Sequence, residues 1–261
     1  MAATSVKPIP EGFHTLTPYL IVPAAAQFID FLKQAYGAEE IFRVNKPDGS
    51  IMHAEIRMND SMIELADAND QFPAAPATLH LYVPDADAAY ARAMQAGATS
   101  LAEPVDQPYG DREAGVKDKS GNDWYIATHK GARHVPEGLR TVTPFLLPRG
   151  AAQMIEFLKQ AFGAEDAEVE KSPDGTIVHA KVRIGDSILE MGEAHGEYQP
   201  RPCHLHLYVP DTDALYQRAL RAGATSLSVP EDKPYGDRSA GVKDPFGNSW
   251  FIATHIKDVQ F

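Results

Sequence analysis

The sequence predicts an α+β chain of two similar domains, each with two βαβββ modules whose strands form a curved mixed sheet with helices outside it. Three observations carry that expectation: a repeat as long as a domain, a fixed order of strand-like and helix-like segments in each copy, and an alternation that sorts side chains onto two faces. The repeat is plainest at the end of each copy. "YGDREAGVKDKSGNDWYIATH", from Tyr109 to His129, returns as "YGDRSAGVKDPFGNSWFIATH", from Tyr235 to His255. "PEGFHTLTPYL" from Pro10 returns as "PEGLRTVTPFL" from Pro136, "FIDFLKQAYGAEE" from Phe28 as "MIEFLKQAFGAED" from Met154, and "LHLYVPDADA" from Leu79 as "LHLYVPDTDA" from Leu205, all at one offset. Solenoid repeats recur every ~20–50 residues, so this longer period is that of a domain. The expected domains are 1–130 and 131–261, joined through "KGARHVPEG" from Lys130 to Gly138.

Each copy is read the same way. "TLTPYLIV" alternates and is rich in β-branched residues, which predicts a strand. "AAAQFIDFLKQAYGAEE" sets Phe28, Phe31, Leu32 and Ala35 at helical spacing and stops at Gly37. A strand near Ile41 follows, then a "PDG" turn, then "SIMHAEIRM" and "SMIELA" as a hairpin across "ND". From Thr78 the order restarts: strand "TLHLYV", helix "DADAAYARAMQAGA", a short strand near Leu101, then "DREAGVKD" and "DWYIATH" around a Gly-Asn turn. That is βαβββ twice per copy.

Composition excludes several classes of function. The formal net charge is −12 with no basic cluster, so nucleic acid, whose binding needs clustered Lys and Arg, is not an expected partner. No apolar run approaches the ~18 residues of a membrane span, so no membrane partner is expected. "MAATSVKPIPEGF" lacks the charged, apolar and small-residue segments of a signal peptide. The single cysteine, Cys203, forms no intramolecular disulfide and reads as a small buried hydrophobe. Together these point to a cytoplasmic location.

Strand alternation then places the chemistry. On "SIMHAEIRM", Met52, Ala54, Ile56 and Met58 are expected to pack on helices, leaving His53, Glu55 and Arg57 on the other face, with His179, Lys181 and Arg183 in the second copy. On "TLHLYV", Leu79, Leu81 and Val83 face the core, and Thr78, His80 and Tyr82 face away. Glu64 and its counterpart Glu190 also leave the apolar side. Tyr19, Tyr82 and Tyr125, with Phe145, Tyr208 and Phe251 in the second copy, put rings on that polar face, which favours a ligand over bulk water. Candidate ligand-binding residues are therefore Tyr19, His53, His80, Tyr82, Tyr125, Phe145, His179, His204, His206, Tyr208 and Phe251. Arg112 and Arg238 join them as clamps for an anionic group, against the plainer reading of Asp111–Arg112 and Asp237–Arg238 as structural ion pairs. His129 and His255, at strand ends, are expected to be exposed, and Trp124 and Trp250 to pack in the core.

Paired βαβββ modules closed by "YGDR…G…D-x-x-G-N-x-W…ATH" resemble the vicinal oxygen chelate superfamily of glyoxalases, bleomycin-resistance proteins and extradiol dioxygenases. "TPYLIV", "GSIMHAEIRM" and the "YGDR…DPFGN…W…ATH" ending are similar to its PhnB-like branch, here as a tandem duplication. The resemblance spans nearly the whole chain and implies two glyoxalase-like domains. It says less about reaction, since the superfamily hosts lyases, isomerases, oxygenases and simple binders.

Metal-dependent members of that superfamily take His or Gln, Glu, His and Glu from four strand positions. The resemblance puts Thr17, Glu64, Thr78 and Tyr125 there in the first copy, and Thr143, Glu190, His204 and Phe251 in the second, so most of the set is missing. No cofactor is favoured. A divalent metal is the open alternative, with His179, Glu190, His204 and His206 as its ligands. The expected function is small-molecule binding in a concave, ring-lined cavity. The alternative is a metal-dependent glyoxalase-like lyase or isomerase, or one using Glu64 and Glu190 as general bases beside His80 and His206. Enzymatic activity is thus left open. The two copies are expected to pair within the chain as a pseudo-dimer. The second, with the extra imidazole of His204 and the stiffer "DPFGN" loop, is expected to be the better-preserved half, its cavity holding Glu190, His204 and His206.

Overall fold

The structure, a computed structural model, describes residues 6–196 and 198–259; the first five residues of the "MAATSVKPIPEGF" stretch lie outside them. The first copy folds as β1 (Leu16–Val22), α1 (Ala25–Tyr36), β2 (Glu39–Asn45), β3 (Ile51–Met58), β4 (Ser61–Asp67), β5 (Thr78–Tyr82), α2 (Ala86–Gln95), β6 (Thr99–Asp106), β7 (Asp111–Lys117) and β8 (Asp123–His129). The second repeats it as β9 (Val142–Leu146), α3 (Ala151–Phe162), β10 (Glu165–Lys171), β11 (Ile177–Ile184), β12 (Ser187–Met191), β13 (His204–Tyr208), α4 (Thr212–Arg221), β14 (Thr225–Asp232), β15 (Asp237–Lys243) and β16 (Ser249–His255). This is the expected βαβββ order four times over. No helix among the described residues is long and apolar enough to cross a membrane.

The strands form two eight-stranded mixed sheets, ordered β14-β15-β16-β13-β1-β4-β3-β2 and β10-β11-β12-β9-β5-β8-β7-β6. Each sheet thus takes one module from each copy. Within a module the first and last strands run parallel, as in β1 with β4 and β5 with β8, and hairpins complete the rest. The chain divides into two compact units, one of residues 18–146 and 188–190, the other of residues 1–17, 147–187 and 191–261.

The helical face of each sheet holds the core. In the first copy, Phe28, Ile29, Phe31 and Leu32 of α1 are buried, and Tyr36 and Phe28 bracket Trp124 with ring centroids 5.1 and 6.5 Å away. Burial of each such side chain stabilises the fold by about 1.5–3 kcal/mol. Trp124 and Trp250 pack as expected, fully buried, with their indole N–H groups donating to Asp118 at 2.8 Å and Asp244 at 2.9 Å. Asp118 also accepts from the backbone N–H groups of Ser120 and Asn122 and from the Asn122 side chain. The recurrent D-x-x-G-N-x-W is therefore a self-contained turn whose carboxylate anchors a core indole.

The β3–β4 hairpin closes through Asn59, whose φ of 55° puts it in the left-handed region that asparagine tolerates, with Met58 opposite Ser61. One expectation on this hairpin fails. Met52 is 52% exposed while Ile51 is buried. The register of β2 on β3 shifts between Val44 and Asn45, so strict alternation breaks at the first residues of the strand.

Candidate functional site

The face of β5, β7 and β8 turned away from the helices carries alternate residues of each strand. Register aligns Thr78 with Asp123 and His80 with Tyr125 across β5 and β8, and Lys117 with Asp123 and Gly115 with Tyr125 across β7 and β8. On the other side of β5 lies β9, with Thr143 opposite His80 and Phe145 opposite Thr78.

His80 is the centre of this face. Its Nδ1 is 3.0 Å from Glu190 Oε2, and its Nε2 stands 3.5 Å from Glu113 Oε2, too far for a hydrogen bond but close enough for ion pairing. Glu190 is 1% exposed. Burial opposes a charge on His80, yet Glu113 and Glu190 overcome it and hold the imidazole's pKa at about 9, so it is a cation at neutral pH. Tyr109 Oη donates to Glu113 at 3.2 Å. The His80 ring lies 4.4 Å from the Tyr82 ring, and the Tyr82 hydroxyl donates to Asp111 at 3.0 Å. Burial first, then the charges of Glu190 and Asp111, raise the Tyr82 phenol well above its usual range. Asp111 also bonds His129 Nδ1 at 2.6 Å. Lys117 forms an ion pair with Asp123 at the far end of the face. Thr78 Oγ1 and His80 Nε2 are buried polar atoms without a hydrogen bond among the described residues.

The second copy repeats part of this arrangement on β13, β15 and β16. The His206 ring lies 4.4 Å from that of Tyr208, whose hydroxyl donates to Asp237 at 3.2 Å, and Asp237 bonds His255 Nδ1 at 2.7 Å. Elsewhere Tyr19, paired with Glu64 on β4, lies 3.3 Å through its hydroxyl from His53 Nδ1; Glu64 is 2% exposed. His179 stands on β11 opposite Glu170.

Several expectations are corrected by these positions. Arg112 lies on the helical face: it forms a two-pronged pair with Asp87 of α2, both bonds at 2.7 Å, and a third with Asp106. Arg238 does the same with Asp213 and Asp232. Neither clamps a ligand on the concave face, because both follow one residue after an Asp that points there. Their partner is not that Asp either, since Asp111 and Asp237 bind Tyr and His on the opposite face. His129 and His255 are not simply exposed; their side chains are 32% and 13% accessible and are held by Asp111 and Asp237.

Glu190 was expected beside His204 and His206, but β12 and β13 belong to different sheets, and the hydrogen-bond partner of Glu190 is His80 of the first copy. The alternative metal set of His179, Glu190, His204 and His206 is divided in the same way.

Of the positions that the resemblance implies, Thr143, Glu190, Thr78 and Tyr125 share one sheet. They do not fit a metal. Glu190 supplies the set's carboxylate and already hydrogen-bonds His80, and Thr143, Thr78 and Tyr125 supply no carboxylate or imidazole. No group of three or more His, Cys, Asp or Glu among the described residues is arranged to hold an ion. Two residues of the site, Glu113 and Tyr109, escaped the sequence reading. Alternation on "DREAG" puts Glu113 on the Asp111 side, so its signal was available.

A sequence model of the Glyoxalase/Bleomycin resistance protein/Dioxygenase superfamily matches residues 12–126 and 144–252, one match per copy. The fold and both matches define a tandem glyoxalase-like protein, and the chain belongs to that superfamily. An uncharacterized protein of Mycobacterium bovis is 38% identical over 130 residues, 46% of this chain and 86% of its own length. A Mycobacterium tuberculosis protein, likewise uncharacterized, is equally identical over 76% of its length. Among solved structures, glyoxalase I from Zea mays superposes with a TM-score of 0.70 at 14% identity, covering 91% of this chain and 92% of that one. A putative dioxygenase from Bacillus subtilis superposes at 0.61 with 16% identity, covering 97% and 87%. At such identity these two structures share the fold, and nothing about chemistry follows from them.

Proposed function

We propose that this chain, a PhnB-like branch member of its superfamily, is a small-molecule binding protein that works without the family's metal. The His80 face takes an aromatic ligand with a cationic or hydrogen-bond-donating group. The observation that supports this best is the charge pattern at His80: one imidazolium against the two carboxylates of Glu113 and Glu190 leaves a net negative face, flanked by the Tyr125 ring. Two unsatisfied buried atoms, Thr78 Oγ1 and His80 Nε2, lie on that face; such atoms cost about 1–3 kcal/mol each until something bonds them. Glu190, at 1% side-chain exposure, positions the imidazole, while Glu113, at 16%, is the more accessible carboxylate and with Tyr125 is the group proposed to touch ligand. The cytoplasm remains the proposed location, on the single unpaired cysteine.

The test is a panel of small aromatic amines and phenols, screened by ligand-observed NMR against the native protein and against Glu113→Gln. Binding that weakens about tenfold or more in the variant supports the reading, equal to the ~1.5–3 kcal/mol of a lost charge-assisted hydrogen bond. A panel in which no member binds, or binds equally to both proteins, overturns it.

A further inference from the structure

The two copies differ on the polar face in a consistent direction. Glu113 of the first copy corresponds to Ser239 of the second, Asp123 to Ser249, Thr78 to His204 and Tyr125 to Phe251. Two carboxylates are lost and an imidazole is gained. The consequence is local and physical. In the first copy Lys117 is neutralised by Asp123. In the second, the equivalent lysine, Lys243, faces Ser249 across the same pair of strands, is exposed, and forms no ion pair among the described residues.

His204 stands on the other side of Ser249, so the three form one row across β13, β16 and β15. Both ring nitrogens of His204 are buried and make no hydrogen bond among the described residues. Its ring lies nearly parallel to Phe251, with centroids 6.1 Å apart at 24°. A neutral imidazole carries one N–H donor and one acceptor, and neither nitrogen of His204 is engaged among the described residues.

We propose that the row His204–Ser249–Lys243 is a binding site for the carboxylate of an aromatic acid, whose ring lies along Phe251. The lysine supplies the charge, the imidazole N–H and serine hydroxyl supply directed hydrogen bonds, and the phenylalanine supplies apolar contact. The first copy cannot make this site, because Asp123 occupies the lysine and Thr78 replaces the imidazole. Duplication has thus produced two faces of opposite ligand charge preference on one chain. The inference rests on the reading of these faces as ligand-binding.

The probes are benzoate and benzylammonium, titrated into the full chain while the imidazole Cε1–H resonances of His80 and His204, assigned by His80→Gln and His204→Gln, are followed. Benzoate is expected to shift the His204 resonance saturably, and benzylammonium to shift that of His80. Lys243→Met should weaken benzoate about tenfold. Ser249→Asp, which recreates the first copy's Lys–Asp pair at a position where the fold already accepts aspartate, should abolish benzoate binding while leaving benzylammonium unchanged. Benzylammonium binding with no benzoate response at His204, or with benzoate affinity unaltered by either variant, overturns the anion site alone. Failure of both probes overturns it together with the proposed function.

Discussion

His80 keeps its proton inside the protein because two carboxylates outweigh the cost of burying a charge, and His204 loses its proton because burial disfavours the charge and the nearby Lys243 adds to that. These opposite shifts make opposite contributions to stability. A histidine normally titrates near 6.5. His80, raised to about 9, contributes stability that is complete below about pH 6.5 and lost as pH rises through 9. His204, lowered to about 4, contributes stability that is present above about pH 6.5 and lost as pH falls toward 4. Each limb is worth up to about 3 kcal/mol. Urea denaturation across pH 5–9 is therefore expected to show His80→Gln flattening the alkaline limb, and His204→Thr flattening the acid limb. A variant that lowers stability equally at every pH would show that its histidine acts through packing. At this scale much of the chemistry was legible in the sequence: alternation alone put His80, Glu190 and Tyr125 on the polar face. What alternation could not give was partnership. Which carboxylate meets His80 depends on strand order, and no local pattern encodes that order.

The elements differ in how locally they are specified. α2 and α4 start at Asp85 and Asp211, each accepting from the backbone N–H three residues on at 2.9 Å, the familiar signature of a helix start. α1 and α3 have no such residue. The first N–H of α1 donates to Asp67 at the end of β4, and the start of α3 donates to Glu193 just past β12. Those helix starts become visible only once the module has closed. Asp67 also accepts from Ile51 N–H at 2.6 Å, so Asp67→Ala should destabilise by more than the ~1 kcal/mol of an ordinary cap.

The turn that differs between copies is a cleaner test of packing. Phe246 reaches the Phe157 ring, with centroids 6.5 Å apart. In the first copy Ser120 stands there, and a cleft of about 290 Å³ opens among Phe28, Phe31, Lys119 and Ser120. The stiffer loop read from "DPFGN" thus has a contact behind it. Ser120→Phe is expected to fill the cleft and raise stability by about 1 kcal/mol, and Phe246→Ser to lower it by about 1–2 kcal/mol. Melting curves of both variants decide this, and no gain from Ser120→Phe would mean that the turn cannot bring the ring inward.

At the scale of the molecule, the duplication read from sequence is present strand for strand, but sequence similarity does not say which module shares a sheet with which. β9, the first strand of the second copy, pairs with β5 of the first, Thr143 lying opposite His80. Glu190, also from the second copy, supplies the hydrogen bond that holds the His80 proton. The residues of one face are thus spread over both repeats, and cutting the chain at the repeat boundary separates His80 from two of its neighbours while leaving each βαβββ order intact. The consequence can be measured. In a fragment of residues 1–130, His80 keeps Glu113 and loses Glu190, so its pKa should fall well below about 9, toward the ordinary 6.5. Adding the fragment 131–261 should return it toward 9, because the strand edge of β5 and the missing carboxylate are restored together. An isolated first fragment that is folded and already shows the raised value would mean that Glu113 alone sustains the charge. The second copy would then be dispensable to the face, and gene duplication would have added a domain without completing a site.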